Sequence, residues 1–221
     1  MNLSELIIND IGPIEVSQSI GDVQQILQSL TYSHVPISSN KEFIGCLSGN
    51  DAQCLDSELV IEDCKYVIEY FFVNDTTNWL DVLEAFAQNN TNIMPVMHNV
   101  SNINKYVGYY ELKDIIGLFD QTPFFFEPGA VLIVSKDLKE YSFSEVSQII
   151  ESNNAKILGV FLSKIDNDQA EITLKISNYR LSDIIQTFIR YGYVVVSGHE
   201  GESYVQDLKD RSDYLKKYLD I

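Results

Sequence analysis

The chain has 221 residues, 45% of them hydrophobic, enough for one large domain or two small ones with a real core. Fifteen Lys and Arg stand against 32 Asp and Glu, a formal net charge of −17. That balance argues against nucleic acid and against an anionic membrane as partners, since both need clustered Lys and Arg.

The acidity is uneven. Residues 1–127 hold 4 Lys, no Arg and 18 acidic residues, whereas residues 128–221 hold 11 basic and 14 acidic ones. Such a step supports a domain boundary near that point. The first residues, Met1 to Glu5, show no basic region and no long apolar run, so no signal peptide is expected. No stretch approaches the ~20 apolar residues that span a bilayer. Cys46, Cys54 and Cys64, sparse and odd in number, suit a reducing cytoplasm. With His34, His98 and His199 far apart, no zinc site is expected.

In chain order, Ile14 and Val16 suit a short strand. Ser19 with Asp22 three residues on is a helix start, followed by an apolar stripe at Ile20, Val23, Ile26, Leu27 and Leu30. His34-Val35-Pro36-Ile37 and Phe43 to Ser48 read as two short strands, with a helix beginning near Asp51. The same order then recurs. Asn78 and Asp81 repeat the helix start, and Trp79, Val82, Leu83 and Phe86 repeat the stripe. Ile93 to Val96 and Tyr106 to Glu111 repeat the strands, and Asp114 follows. Pro36 and Pro95 are 59 residues apart, and Gly45 and Gly108, like Asp51 and Asp114, are 63 apart. Only the turn between the strands differs, by four residues. A unit repeated once in this way predicts two like subdomains. Val67 to Val73 reads as a strand entering the second copy.

Beyond Leu118, Pro123 and Glu127-Pro128-Gly129 break structure around Phe124-Phe125-Phe126. Three exposed Phe would be costly, so this segment is expected to dock on a neighbouring surface. A second pattern starts at Ala130. It runs as a strand at Val131 to Val134, a helix opened by Ser142 and Glu145, and a strand at Ile157 to Leu162. A turn at Asp166 to Asp168 leads to an alternating strand through Ile172, Leu174 and Ile176. A helix striped by Leu181, Ile184, Ile185, Phe188 and Ile189 ends at Gly192, before a last strand at Tyr193 to Val196. From Glu202, the spacing of Tyr204, Leu208, Leu215, Tyr218 and Leu219 reads as an amphipathic helix.

The repeated unit resembles the cystathionine β-synthase (CBS) domain, two of which pack as a pair. The β-α-β-β-α-β order that follows is ferredoxin-like, and in that position looks like an ACT domain. Chains so built are similar to acetoin-utilisation-type regulatory proteins. The expected fold is α+β: tandem CBS domains with pseudo-two-fold symmetry over 1–121 (repeat units about 10–57 and 70–120), a linker at 122–129, an ACT-like domain at 130–199 and a C-terminal helix at 200–221.

The resemblance implies a ligand site. In CBS pairs a Ser or Thr followed three residues later by Asp holds the phosphate and ribose of an adenosyl nucleotide. Ser48 and Asp51 match that spacing, and Cys46, on the same strand face, would touch the base. His34 stands where the family places groups near phosphates. In the second copy Asp114 remains, but Glu111 replaces the hydroxyl; a carboxylate repels phosphate. Plainer readings stand beside these: Ser48 and Asp51 as a helix cap, and His34 as a buried structural histidine. The first half lacks Arg, the usual partner of phosphates, which favours a weakly charged adenosyl nucleotide or nucleoside, or a magnesium-bridged one. The turn Ser135 to Tyr141 has no Gly, unlike ACT domains that bind amino acids. No Gly-rich phosphate loop, nucleophile elbow or His cluster points to catalysis. The expectation is a cytoplasmic, non-catalytic regulatory homodimer that senses a small molecule. The alternatives are a ligand-free dimerisation or scaffold module and an amino-acid sensor acting through 130–199.

Overall fold

Side chains that satisfy the free N–H groups at helix starts set the boundaries of the first elements. The computed structural model, which describes residues 3–100, 103–120, 122–177 and 181–198, divides the chain into two units, Met1–Leu118 and Phe119–Ile221. The expected tail helix from Glu202 lies outside the described residues. The first unit contains β1 (Ile14–Glu15), α1 (Ile20–Ser29), β2 (His34–Ser39), β3 (Glu42–Ser48) and α2 (Gly49–Cys54). The order repeats as β4 (Val73–Asn74), α3 (Trp79–Gln88), β5 (Ile93–Val100), β6 (Ile103–Glu111) and α4 (Leu112–Asp120), whose last two residues fall in the second unit. Ser19 Oγ accepts from the Asp22 N–H at 3.1 Å while the Asp22 carboxylate accepts from the Ser19 N–H at 3.1 Å, a complete capping box on α1. Asn78 Oδ1 plays the same part for α3, accepting from the N–H groups of Leu80 and Asp81.

Each copy makes a three-stranded sheet, β1-β2-β3 and β4-β5-β6, in which the first pair is parallel and the second antiparallel. The two sheets are alike in detail. Pro36 faces Cys46 and Pro95 faces Tyr109; the register shifts after Ile37 in one and after Val96 in the other. Asn40 and Lys41, both at positive φ, form a two-residue hairpin turn of the type that matches strand twist. The second hairpin is longer, so Lys105 lies within β6.

The copies exchange their lead-in segments. Ile8, ahead of β1, pairs with Tyr109 of β6 through two backbone hydrogen bonds of 2.9 Å. Glu69, ahead of β4, pairs with Cys46 of β3 through bonds of 2.7 and 2.9 Å. Gly45 and Gly108 sit beside these crossings at φ +140° and +143°. A Cβ at Gly45 would lie 2.5 Å from the Glu69 carbonyl, and one at Gly108 would lie 2.3 Å from that of Ile8. Both positions therefore need glycine for conformation and for close approach. The crossing also corrects an expectation. Residues 67–73 are not one strand: a 3-10 turn covers Ile61–Val67 and β4 begins only at Val73, because the residues between are spent on reaching β3.

Two apolar cores result. One gathers Ile14, Ile20, Val23, Val35, Ile37 and Leu47, and the other Phe71, Val82, Phe86, Met94, Val96 and Ile115. Leu3 and Cys46 join the second core, so the first copy and its lead-in help to fill the second. Tyr110, fully buried there, has a hydroxyl without a hydrogen-bond partner. A buried unpaired polar group costs stability, so Tyr110→Phe is expected to be neutral or to stabilise by about 1 kcal/mol. Urea unfolding followed by fluorescence of Trp79, the one tryptophan, checks this.

The second unit holds α5 (Pro123–Phe126), β7 (Gly129–Asp137), α6 (Phe143–Ser152), β8 (Ile157–Asp166), β9 (Gln169–Ser177), α7 (Leu181–Arg190) and β10 (Val194–Gly198). Its sheet runs β10-β7-β9-β8 with every neighbour antiparallel. Leu132, Val134, Ile172, Leu174 and Ile176 face α6 and α7 in a single core. Ile189, expected in the buried stripe of α7, is about half exposed. Asn167 and Asp168 take positive φ in the β8–β9 turn, and Gly192, at φ +83°, ends α7. Phe124 lies on Gly159: a Cβ there would come within 2.1 Å of the ring. Phe125 and Phe126 stay largely exposed, so the phenylalanine segment docks mainly through the Phe124 ring. The expected capping box at Ser142 does not form. Its side chain makes no cap bond, its N–H donates to the Tyr193 hydroxyl at 3.4 Å, and the Glu145 carboxylate turns to the Lys136 ammonium at 2.7 Å.

Candidate functional site

At the end of β3 the chain turns straight into α2, and Ser48 is the hinge residue. Its Oγ accepts from the Asp51 N–H at 3.0 Å and donates to the Asp51 carboxylate at 2.6 Å. The helix cap reading therefore describes both residues as they stand. Ser48 faces His34 across the sheet, and both are buried, as is Cys46. His34 Nδ1 lies 2.9 Å from Ser33 Oγ, its Nε2 lies 3.9 Å from the Glu69 carboxylate, and its ring meets Phe71 edge-on. Burial holds its pKa below the ordinary value, opposed by the negative charges of Glu69 and Asp51, so the ring is neutral at pH 7. Burial likewise pushes the Cys46 thiol up, which keeps it protonated and unreactive.

The sequence thus brought Cys46, Ser48, Asp51 and His34 to one place. It did not single out Glu69, Phe71 and Ser33, which complete that place. Glu69 and Phe71 come from the lead-in of the other copy, a crossing that no local pattern reveals.

Between the copies lies a reciprocal knot. The Ser33 N–H donates to Asn92 Oδ1 at 2.8 Å, and the Asn92 N–H donates to Ser33 Oγ at 2.9 Å. Ser33 and Asn92 are 59 residues apart, the spacing of the repeat, so like positions hold each other. Each also accepts, through its carbonyl, the first N–H of the following helix: Gly49 on Ser33 at 2.8 Å, Leu112 on Asn92 at 3.0 Å. Phe43 and Tyr106, 63 apart, stack with centroids 5.7 Å apart and planes 18° from parallel. These pairs mark an approximate two-fold axis. The repeat spacing would have pointed to them, had each residue been compared with its counterpart.

The second copy treats the matching place differently. Glu111, buried, accepts from the Tyr32 hydroxyl at 2.9 Å and from the Lys113 ammonium at 2.5 Å. Tyr109 donates to Asp10 at 2.5 Å, and its oxygen lies 2.9 Å from that of Tyr32. Asp114 opens α4 as Asp51 opens α2. A cavity of about 410 Å³ opens between the end of α3 and Leu112, with Ser33 and Asn92 in its lining. None of Cys46, Ser48, Asp51 or His34 lines it. Among the described residues no three of His, Cys, Asp and Glu gather as metal ligands would, and no helix is long and apolar enough to cross a membrane.

In the second unit, the end of β7 is tied up internally. Lys136 pairs with Glu145 and lies 4.5 Å over the Tyr193 ring. The ammonium lowers the Glu145 pKa, and burial, then Glu145, pushes the Tyr193 phenol up to about 12.

No family model matches the sequence, and neither does any curated protein. Solved structures do resemble it in shape. A CBS domain pair/ACT domain protein from Thermotoga maritima is 16% identical, with a TM-score of 0.46 covering 54% of this chain and 96% of its own. The CBS domains of a transcriptional regulator from Streptococcus pneumoniae are 17% identical, with a TM-score of 0.45 covering 53% and 98%. The protein CBSX2, solved in complex with AMP, is 14% identical, with a TM-score of 0.43 covering 54% and 96%. All three are distant likenesses.

Proposed function

We propose that the chain is a non-catalytic regulatory protein. In this reading residues 1–121 are a CBS pair that senses an adenosyl nucleotide or nucleoside beside Ser48 and Asp51. Residues 130–199 form an ACT-like domain that transmits the signal within a cytoplasmic homodimer. One observation carries the reading: two copies of one α/β unit, joined at like residues about an approximate two-fold axis, place a hydroxyl, a carboxylate and an imidazole together where a strand meets a helix. The β10-β7-β9-β8 order of the second sheet supports the ferredoxin-like part of the proposal.

A ligand has to replace the bond from Ser48 to Asp51, which frees one hydroxyl for a phosphate and one carboxylate for ribose. A phosphate beside the neutral His34 favours the imidazolium, so binding takes up a proton and tightens as pH falls from 8 to 6. A thermal-shift series with AMP, ADP, ATP, S-adenosylmethionine and NADH, with and without magnesium, tests this. At least one is expected to raise the melting temperature, more at pH 6 than at pH 8 if it carries phosphate, and Asp51→Ala is expected to abolish the rise. No shift with any of them would sink the proposal.

The completed cap at Ser48 and the burial of His34 and Cys46 favour a second reading, a ligand-free scaffold. Under it Ser48→Ala lowers stability by about 1 kcal/mol and no nucleotide changes the melting temperature of either form.

A further inference from the structure

The two copies differ most where they should match most closely. Cys46 and Tyr109 hold like positions on β3 and β6, 63 residues apart, and Ser48 and Glu111 do the same. Thr91 and Tyr32, 59 apart, hold like positions two residues before the first long strand of each copy. At the first place these residues are short: Thr91 turns its hydroxyl to the Ile93 carbonyl at 2.7 Å and reaches only Ser33 in the other copy, at 3.2 Å. At the second they are a pair of tyrosines and a glutamate.

Tyr32 crosses from its own copy into the other. Its ring meets that of Tyr109 edge-on at 5.6 Å, and its hydroxyl reaches Glu111. Asp10 closes the far end on Tyr109 and Lys113 closes the near end on Glu111. Two phenolic protons serve three oxygen–oxygen contacts here, so two are hydrogen bonds at any moment. Two rings stand where the first place has Cys46 and Thr91, and the counterpart of Ser48 is a carboxylate paired with a lysine.

We propose that Tyr32, Tyr109 and Glu111 plug the second place, restricting the chain to one nucleotide per CBS-type pair, and that the plug serves as a strut between the copies. The stoichiometry rests on the reading of Ser48 and Asp51 as ligand contacts; the strut does not.

Calorimetry with AMP on the full chain, read beside urea unfolding of the Tyr32→Phe, Glu111→Gln and double variants, separates the two. The expected result is one AMP per chain, lost in Asp51→Ala and kept in Asp114→Ala, with a double variant no less stable than the weaker single one. Two AMP per chain, or one that is lost in Asp114→Ala, would overturn the plug. If AMP gives no heat, the proposed function fails for this nucleotide and unfolding decides the strut: additive losses overturn it, and non-additive losses uphold it.

Discussion

Gly108→Val is expected to cost the first unit about 3–5 kcal/mol, from backbone strain and forced displacement together. At φ +143° a branched side chain is strained whatever the space around it, and the Cβ would fall 2.3 Å from the Ile8 carbonyl oxygen. That carbonyl accepts the Tyr109 N–H, half of the pairing that holds the first lead-in on β6. Leu3, Leu6 and Ile7 pack into the core of the second copy by way of this segment. Losing the crossing therefore uncovers apolar surface as well as two hydrogen bonds. Gly117→Ala is the control. That glycine sits within α4 with nothing close to its missing Cβ, and alanine there is expected to stabilise by about 0.5–1 kcal/mol. Trp79 fluorescence in urea reads both. Equal effects would mean that the crossing does not hold the unit together.

Asn92→Ala is expected to cost about 2–3 kcal/mol. The side chain accepts from the Ser33 N–H and the Ser33 hydroxyl and donates to the Thr31 carbonyl at 2.6 Å. Alanine strands the Ser33 N–H at a partly buried junction and removes two further bonds, and a stranded group costs more than its bond was worth. Thr91→Ala, one residue away, loses one hydroxyl that bonds chiefly within its own strand and reaches Ser33 only at 3.2 Å, and is expected to cost less than half as much. The same urea titration distinguishes them, and a loss for Asn92→Ala no greater than for Thr91→Ala would show that the copies are held by apolar contact alone.

The repeat was legible because it is written in residues whose chemistry is local. Pro36 and Pro95, Gly45 and Gly108, and the caps Ser19 and Asn78 each satisfy a constraint of their own backbone, so their spacing survives in the sequence. Alternation in Ile172, Leu174 and Ile176 is local in the same way and gave β9. The crossings were not legible. Glu69 meets Cys46, and Ile8 meets Tyr109, through main-chain atoms that carry no side-chain signature. Residues 67–73 read as a strand because an extended segment touching both copies is as apolar as one.

At the candidate site the same division holds. Ser48 and Asp51 declare themselves by spacing, and Glu111 stands out as the exception to it. What fills the second place was hidden, since Tyr32 and Asp10 lie far from Glu111 in sequence and share no motif with it. At Ser142 a local pattern misled: the spacing to Glu145 is right, but that carboxylate turns to the Lys136 ammonium and the Ser142 N–H to the Tyr193 hydroxyl.

A crystal structure of the full chain grown with AMP tests the central claim most directly. The expected result is one nucleotide between the copies, with Ser48 turned from Asp51 toward the phosphate, the Asp51 carboxylate on the ribose hydroxyls, and Tyr32 still against Glu111. Ser48 still bonded to Asp51, with nothing beside it or with the nucleotide lodged elsewhere, would contradict it.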